Sequence, residues 1–220
     1  MKNSPCLLFA LKLLISLILT ATSLIGKEID EWARNIVFGL QEIVGNFHLK
    51  ISSEYSILHY LNNTELLDGV QNELDPNKKG KFLEDLISRL FGSINGFEIN
   101  ERVRTETEEI DILILNNSNE SIWNKESLLV LIECKNWSSK CGKNELVQFK
   151  EKIKNRYGRA KIGFLISWNG FNETIGKELL RSSQDDIIII PVTGKEISEG
   201  MKAPDFGAVV KKWFMDSVSK

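Results

Sequence analysis

Runs of apolar residues, separated by polar turns, divide the chain beyond residue 80 into short strands and helices. The sharpest run spans residues 128–132, and five apolar residues in succession predict a strand buried on both faces. The predicted strands cover residues 97–103, 110–115, 128–134, 162–167 and 187–192. Apolar residues at three- and four-residue spacing predict helices over 81–91, 144–157, 172–181 and 205–218. Residues 116–125, rich in Asn and Ser, are predicted to form a surface loop. The alternation of strands and helices predicts an α/β sandwich.

Charged residues follow directly after the apolar run of the third predicted strand. Glu133 and Lys135 alternate with Cys134, so both charges should emerge on one face while the thiol turns into the core. A buried charge costs several kcal/mol unless it is paired or bound to a metal. A carboxylate and an ammonium group that share a face at the end of a buried strand therefore indicate a functional site.

A second acid, Asp111, begins the apolar run of the preceding strand, although Asp is disfavoured in strands. Magnesium typically takes one or two carboxylates, with water and substrate phosphate completing its shell. Asp111, Glu133 and the backbone carbonyl of Cys134 can supply such a partial shell. The alternative is that Asp111 caps its strand or pairs with Arg102 or Arg104.

A third acid, Glu84, lies between the apolar positions of the helix predicted over residues 81–91. Gly80-x-x-x-Glu84 on a helix, then Asp111 on a strand, then Glu133-x-Lys135 on the next, resembles the restriction-endonuclease-like PD-(D/E)xK nucleases, and above all their Mrr-like branch. The resemblance covers about residues 79–193. Its further features are Asn136, Trp137, Gln148, Lys152, the run 163–167, and Gly170 with Phe171.

The resemblance implies a fold and a reaction. The fold is the restriction-endonuclease-like α-β-β-β-α-β core, a central mixed sheet flanked by helices, here with an N-terminal helical extension. The reaction is hydrolysis of DNA phosphodiester bonds by a Mg²⁺-dependent endodeoxyribonuclease, with Mn²⁺ able to substitute. Such an enzyme would act as a restriction or defence effector. The alternative is a catalytically silent, membrane-tethered module of the same fold that binds nucleic acid or serves as a scaffold.

The resemblance also assigns roles to residues. Asp111 and Glu133 hold the metal with the Cys134 carbonyl, and Glu109 is the alternative ligand because it shares a face with Asp111. Lys135 stabilises the nucleophile or helps to deprotonate it, and it offsets the charge that builds on phosphorus. Two further residues complete the implied site: Glu84 holds a second metal or a water or orients the ligands, and Gln148 hydrogen-bonds the active-site group or the scissile strand. The family's proline is absent before Asp111, where Ile110 stands.

Local charge supports a nucleic-acid partner where net charge does not. The 220 residues carry a net charge of −2, with 42% hydrophobic and 26% charged residues, which are values typical of globular proteins. A basic segment nonetheless follows the Glu-x-Lys strand, and a basic helix there would meet DNA phosphates leading into the site. The alternative is a solvated helix face. The predicted DNA-binding residues are Lys140, Lys143, Lys150, Lys152, Lys154 and Arg156.

Cysteine and histidine usage argues against other chemistries. The three cysteines lack metal-ligand spacing and fit a reducing compartment rather than a disulfide framework. The two histidines, His48 and His59, have no evident partners in the sequence, so neither a histidine-based triad nor a zinc site is expected.

The amino-terminal segment from Cys6 to Gly26 contains one charge, Lys12. Its length suits a membrane anchor, but a helix buried against partner subunits and a cleaved signal peptide remain open. A nuclease that needs cellular DNA and magnesium is expected to stay in the cytoplasm, with this segment as an anchor or as a contact to a protein partner. A homo-oligomer or a larger complex is expected.

Four regions are predicted along the chain. Residues 1–26 form the hydrophobic segment, and residues 27–78 form a helical accessory region with amphipathic stripes. The turn-forming residues 75–80 mark the boundary to the nuclease domain at 79–195. Residues 196–220 carry the C-terminal helix.

Overall fold

The computed structural model describes residues 63–106, 108–124, 126–181 and 186–219. The hydrophobic segment from Cys6 to Gly26 and most of the accessory region lie outside these residues. Across the part of the chain that is described, no helix combines the length and the apolar character needed to cross a bilayer.

The second helix of the described residues starts earlier than the apolar periodicity of residues 81–91 suggests. Within the described residues, a first helix, α1, covers residues 63–72, and α2 then runs over Pro76–Gly92 rather than from Lys81. The Asp75 carboxylate accepts the backbone N–H groups of Asn77 at 2.8 Å and Lys78 at 3.2 Å. Asp75 is therefore the N-cap and Pro76 occupies the first helical turn, where its missing N–H costs nothing. Residues 75–80, which were expected to form a turn, therefore form the N-cap and first residues of α2.

Within the described residues, five strands form one mixed sheet in the order β1-β2-β3-β4-β5. The pairs β1/β2 and β2/β3 are antiparallel, whereas β3/β4 and β4/β5 are parallel. The α-β-β-β-α-β order is thus confirmed, and apart from the start of α2 the predicted boundaries lie within three residues of those observed. The strands are β1 (Phe97–Arg104), β2 (Glu109–Asn116), β3 (Leu129–Lys135), β4 (Ala160–Ser167) and β5 (Ile188–Thr193).

Five more helices follow α2 in the described residues, and two of them were not predicted. The single turn α3 lies inside the predicted surface loop, where Trp123 is fully buried against Phe97 and Phe214. Helix α6 begins at a capping box in which Thr193 and Glu196 bond each other's backbone N–H. The helices are α3 (Ser121–Asn124), α4 (Lys143–Lys154), α5 (Glu173–Arg181), α6 (Gly194–Gly200) and α7 (Phe206–Val218).

The sheet separates two apolar cores. The first core packs residues of α2 and α7 on the sheet, and the second packs residues of α4 and α5 on it. Helix α4 approaches β4 so closely that a Cβ at Gly163 would lie 2.5 Å from Ile153 Cδ1 and 2.7 Å from the Phe149 ring. A side chain here would force Ile153 and Phe149 to shift, so glycine permits the close packing of α4 over the strands that carry the predicted site.

Candidate active site

The carboxyl end of β3 carries the charged residues of the Glu-x-Lys sequence. Glu133 is only 5% exposed, so this charged residue is nearly as buried as Leu131 and Ile132 before it. The Lys135 side chain is 21% exposed. Cys134 packs against the first core, which confirms the predicted alternation of side chains along the strand. The strand therefore places one carboxylate and one ammonium group at the same largely buried location.

Two lysines neutralise the Glu133 carboxylate. Lys135 Nζ lies 2.7 Å from Glu133 Oε1, and Lys152 Nζ of α4 lies 2.7 Å from Glu133 Oε2. Burial acts to lower the pKa of Lys135, but the charge and hydrogen bond of Glu133, together with Asp111, raise it above its usual value. Lys135 therefore stays protonated, and a buried carboxylate is held between two ammonium groups.

Asp111 lies beside this cluster and has a different environment. Its Oδ2 accepts the Cys134 backbone N–H at 2.7 Å. Burial and the charge of Glu133 raise the pKa of Asp111 to about 6, with Glu84 adding to the rise. Asp111, Glu133 and Glu84 thus form one electrostatic cluster, in which burial and repulsion destabilise the charged form of Asp111.

This donor set fits a divalent cation. A cation between Asp111 and Glu133 would relieve the repulsion that raises the Asp111 pKa. No group of three or more His, Cys, Asp or Glu side chains in the described part of the chain could hold a metal by itself. Two carboxylates, a carbonyl, water and substrate phosphate are nevertheless a sufficient shell for magnesium.

Glu84 reaches the cluster from α2 but is bonded to a different partner. Arg102 Nε lies 2.8 Å from Glu84 Oε2, and Arg102 Nη2 lies 2.7 Å from Asp85 Oδ1. The sequence alternative in which Arg102 pairs with Asp111 is not what the structure shows. No sequence signal indicated the contacts of Arg102 with Glu84 and Asp85, because these residues lie 18 and 17 positions away. The positive φ of Arg102 could not be predicted from the sequence either.

Two predicted site residues lie at the margin of the cluster. Glu109 is half exposed, and its carboxylate lies 3.4 Å from Arg104 Nε. Gln148 is exposed on α4, one helical turn before Lys152. These positions favour Asp111 over Glu109 as the buried acid, and they leave the Gln148 side chain accessible to a substrate.

The predicted basic segment is largely ion-paired. Lys152 bonds Glu133 and Lys143 bonds Glu178 at 3.0 Å. Lys140 is exposed and Lys150 is partly buried. The other two residues of the segment also have carboxylate partners: Lys154 lies 3.0 Å from Glu151, and Arg156 bonds Glu108. Lys152, one of the residues predicted to bind DNA, lies in the acid cluster.

The residues after Lys135 connect the site to the rest of the domain. The buried Asn136 side chain donates to Val70 O of α1 and to Lys79 O of α2, each at 3.1 Å. Trp137 is 46% exposed, and the Lys135 ammonium lies 5.4 Å from its ring centroid. Asn136 thereby ties both N-terminal helices of the described domain to the residue that follows the site lysine.

The cysteines of the described domain are structural. Cys134 and Cys141 are free thiols, and burial raises the pKa of both. A thiol held protonated by burial is a poor nucleophile.

The mixed sheet and the acid–acid–lysine cluster at the end of β3 define the restriction-endonuclease-like class of nucleases. A family model described as restriction endonuclease (Mrr_cat) matches residues 77–201, more than half of the chain. The chain therefore belongs to the Mrr-like restriction endonuclease family, as the sequence resemblance predicted. Searches of curated proteins and of solved structures found no match.

Proposed function

We propose that this member of the family is a divalent-cation-dependent endonuclease that hydrolyses DNA phosphodiester bonds, with Mg²⁺ as its ion and Mn²⁺ able to replace it. The observation that carries the proposal is the buried Glu133 carboxylate, held between Lys135 and Lys152 with Asp111 beside it. A buried ion cluster is weak evidence for stability, since apolar replacements are often as stable. Its retention at a strand end supports a chemical role.

Each residue has a defined task in this proposal. Asp111 and Glu133, with the Cys134 carbonyl, would hold the cation, which supplies charge at the phosphate oxygens and acidifies a water molecule. Lys135 keeps two N–H donors beyond its bond to Glu133, and these can stabilise the attacking oxygen and the developing phosphate charge. Glu84 orients the acids from α2, and Gln148 is accessible to bond the scissile strand.

In this proposal Lys152 acts at the acid cluster rather than as a contact to DNA. Its ammonium group is the second counter-charge of Glu133, so it offsets the charge of the acid cluster when no cation is bound. Phosphate contacts in the proposal fall chiefly to the exposed Lys140 and to residues of α4 whose carboxylate partners can be exchanged for DNA.

The test is cleavage of covalently closed plasmid DNA by the purified full chain with Mg²⁺, with Mn²⁺ or with EDTA. We expect cutting with either ion and none with EDTA. Asp111→Asn and Glu133→Gln should each reduce the rate by about 10³-fold or more, since each removes charge that the cation requires. Glu109→Gln is the matched control and should cut at the wild-type rate.

The plasmid experiment also separates the alternatives. A closed circle offers no end, so its linearisation establishes endonuclease action, and a labelled RNA of equal length tests whether the substrate is restricted to DNA. Wild-type protein that binds DNA without cutting it under any of these conditions would support the silent module instead. Restriction of incoming DNA, the cellular role that we propose, should disappear with Glu133→Gln.

A further inference from the structure

Arg102 has an unusual backbone at the level of the acid cluster. Among the described residues, Arg102 and Tyr157 are the two non-glycine positions with positive φ, at 48° and 54°. The β1/β2 register pairs Glu101 with Ile112 and Val103 with Ile110, so Arg102 lies across from Asp111. A left-handed conformation in a non-glycine residue costs about 1 kcal/mol or more, and it persists where surrounding contacts hold it.

The β1/β2 pair changes cores at this point. Ile99 of β1 and Ile112 of β2 pack in the first core, whereas Val103 and Ile110 pack in the second. Residues separated by two or four positions lie on one face of a regular strand. The two strands therefore turn over together at the level of Arg102, as strands do at irregularities that re-aim a side chain beside an active site.

The Arg102 side chain fastens this turn to helix α2. Its guanidinium bonds Glu84 at 2.8 Å and Asp85 at 2.7 Å, and Glu101 lies at 3.6 Å. The rigid fork of an arginine holds two neighbouring carboxylates in a fixed geometry, which a lysine cannot do. Because its guanidinium is bonded to α2, Arg102 does not pair with Asp111. The Asp111 carboxylate accepts the Cys134 N–H and is repelled by the charges of Glu133 and Glu84.

We propose that Arg102 is a positioning residue of the cation site: its left-handed backbone turns the β1/β2 pair at Asp111, and its guanidinium holds Glu84 at a fixed distance from that acid. This inference rests on the proposed function, because it assigns Arg102 to the same site. Arg102 acts through Asp111 and Glu84 and does not touch the substrate.

The experiment separates the backbone of Arg102 from its side chain. Arg102→Gly removes the guanidinium and accepts positive φ freely, whereas Arg102→Lys keeps the charge and loses the fork. Tyr157→Gly is the matched control, because Tyr157 has the same backbone conformation and is 96% exposed. Mn²⁺ affinity of the full chain is measured by calorimetry without DNA, and kcat and KM are measured on a DNA duplex.

We expect Arg102→Gly to weaken Mn²⁺ binding and to lower kcat by about 10- to 100-fold, with KM for DNA changed by less than about 3-fold. Arg102→Lys should recover part of both losses. Tyr157→Gly should leave Mn²⁺ affinity and kcat at the wild-type values. If Arg102→Gly does not fold, Arg102→Lys carries the test with a several-fold loss of Mn²⁺ affinity.

Two results would overturn the inference while the proposed function stands. One is a wild-type Mn²⁺ affinity in folded Arg102→Gly while Glu133→Gln loses it. The other is a higher KM with unchanged kcat and Mn²⁺ affinity, which would make Arg102 a phosphate contact and reduce the salt dependence of DNA binding by about one unit of slope. A wild-type chain that neither binds Mn²⁺ nor cuts DNA would remove both proposals.

Discussion

The two apolar cores differ in the side chains that lie in or beside them: aromatic rings in the first, and buried charges beside the second. The first core, under α2 and α7, is lined by aromatic rings in edge-to-face contact, among them Phe91 with Phe164 at 5.0 Å and with Phe206 at 5.7 Å. Beside the second core, under α4, Lys152 reaches the buried Glu133. Apolar packing favours stability, whereas burying a charge cluster costs desolvation free energy. Such a cluster is therefore better explained by a function than by stability. We therefore expect the first core to contribute most of the stability, and the charged residues beside α4 to serve the proposed chemistry.

The largest expected effect tests the stability half of this comparison. Phe91→Ala removes a fully buried ring with two aromatic partners, so we expect the free energy of unfolding to fall by about 3–5 kcal/mol. Urea unfolding measures this loss. At low temperature, the folded fraction should retain the wild-type affinity for Mn²⁺. Phe91→Leu, a milder change, serves if the alanine variant is too unstable, and a lower affinity in folded protein would contradict the division of roles.

The next effect tests the chemical half. Lys135→Ala should lower the cleavage rate by at least about 100-fold, or about 2.7 kcal/mol, because it removes the donor next to the reacting phosphate. DNA affinity should remain within a few-fold of the wild-type value. Single-turnover cleavage with saturating enzyme measures the chemical step, and filter binding measures the affinity.

Lys152→Ala is the matched variant, since Lys152 lies at the same 2.7 Å from the same carboxylate. We expect a smaller rate loss, because Lys152 serves as counter-charge rather than as a donor to the substrate. Equal losses would show that the two ammonium groups share one task. A normal rate per bound complex in Lys135→Ala, together with lost DNA affinity, would make Lys135 an anchor only.

The fold could be predicted from the sequence because its signals are local. The run 128–132 and the helical spacings in α2, α4 and α7 each depend on residues close together in the chain. The start of α2 was missed because Asp75 and Pro76 suit both a turn and a helix cap. Helix α6 had a readable signal in Thr193 and Glu196, a capping box that could have revealed it.

The sequence could place the candidate site residues at one strand end but could not predict how they pair. Glu133 and Lys135 lie two residues apart on one strand, so their contact follows from alternation. The bond from Lys152 to Glu133 depends on where α4 crosses the sheet, which in turn depends on Gly163. A basic residue in a helix can face solvent, DNA or an internal acid, and only the packing of the helix decides among these.

The smallest effect concerns Asp111 and sharpens the claim that the site reduces stability. Burial and Glu133 raise the Asp111 pKa from its ordinary value of 3.8 to about 6. The folded protein therefore binds this proton more tightly than the unfolded chain does. In the metal-free wild type, the resulting penalty is fully present above pH 6 and disappears as pH falls from 6 towards 4.

Asp111→Asn removes that penalty, and its amide oxygen can still accept the Cys134 N–H. With EDTA at pH 7.5, we expect the variant to be more stable than the wild type by about 1–2 kcal/mol, below the limit of about 3 kcal/mol that the pKa change allows. At pH 4.5 this difference should fall to about one third of its value at pH 7.5. Glu109→Gln, at a half-exposed position, should differ from the wild type by less than about 0.5 kcal/mol at both values of pH. An Asp111→Asn protein that is less stable than the wild type at pH 7.5 would show that Asp111 contributes more to the fold than its charge costs, and the contrast between the two cores would then fail at this residue.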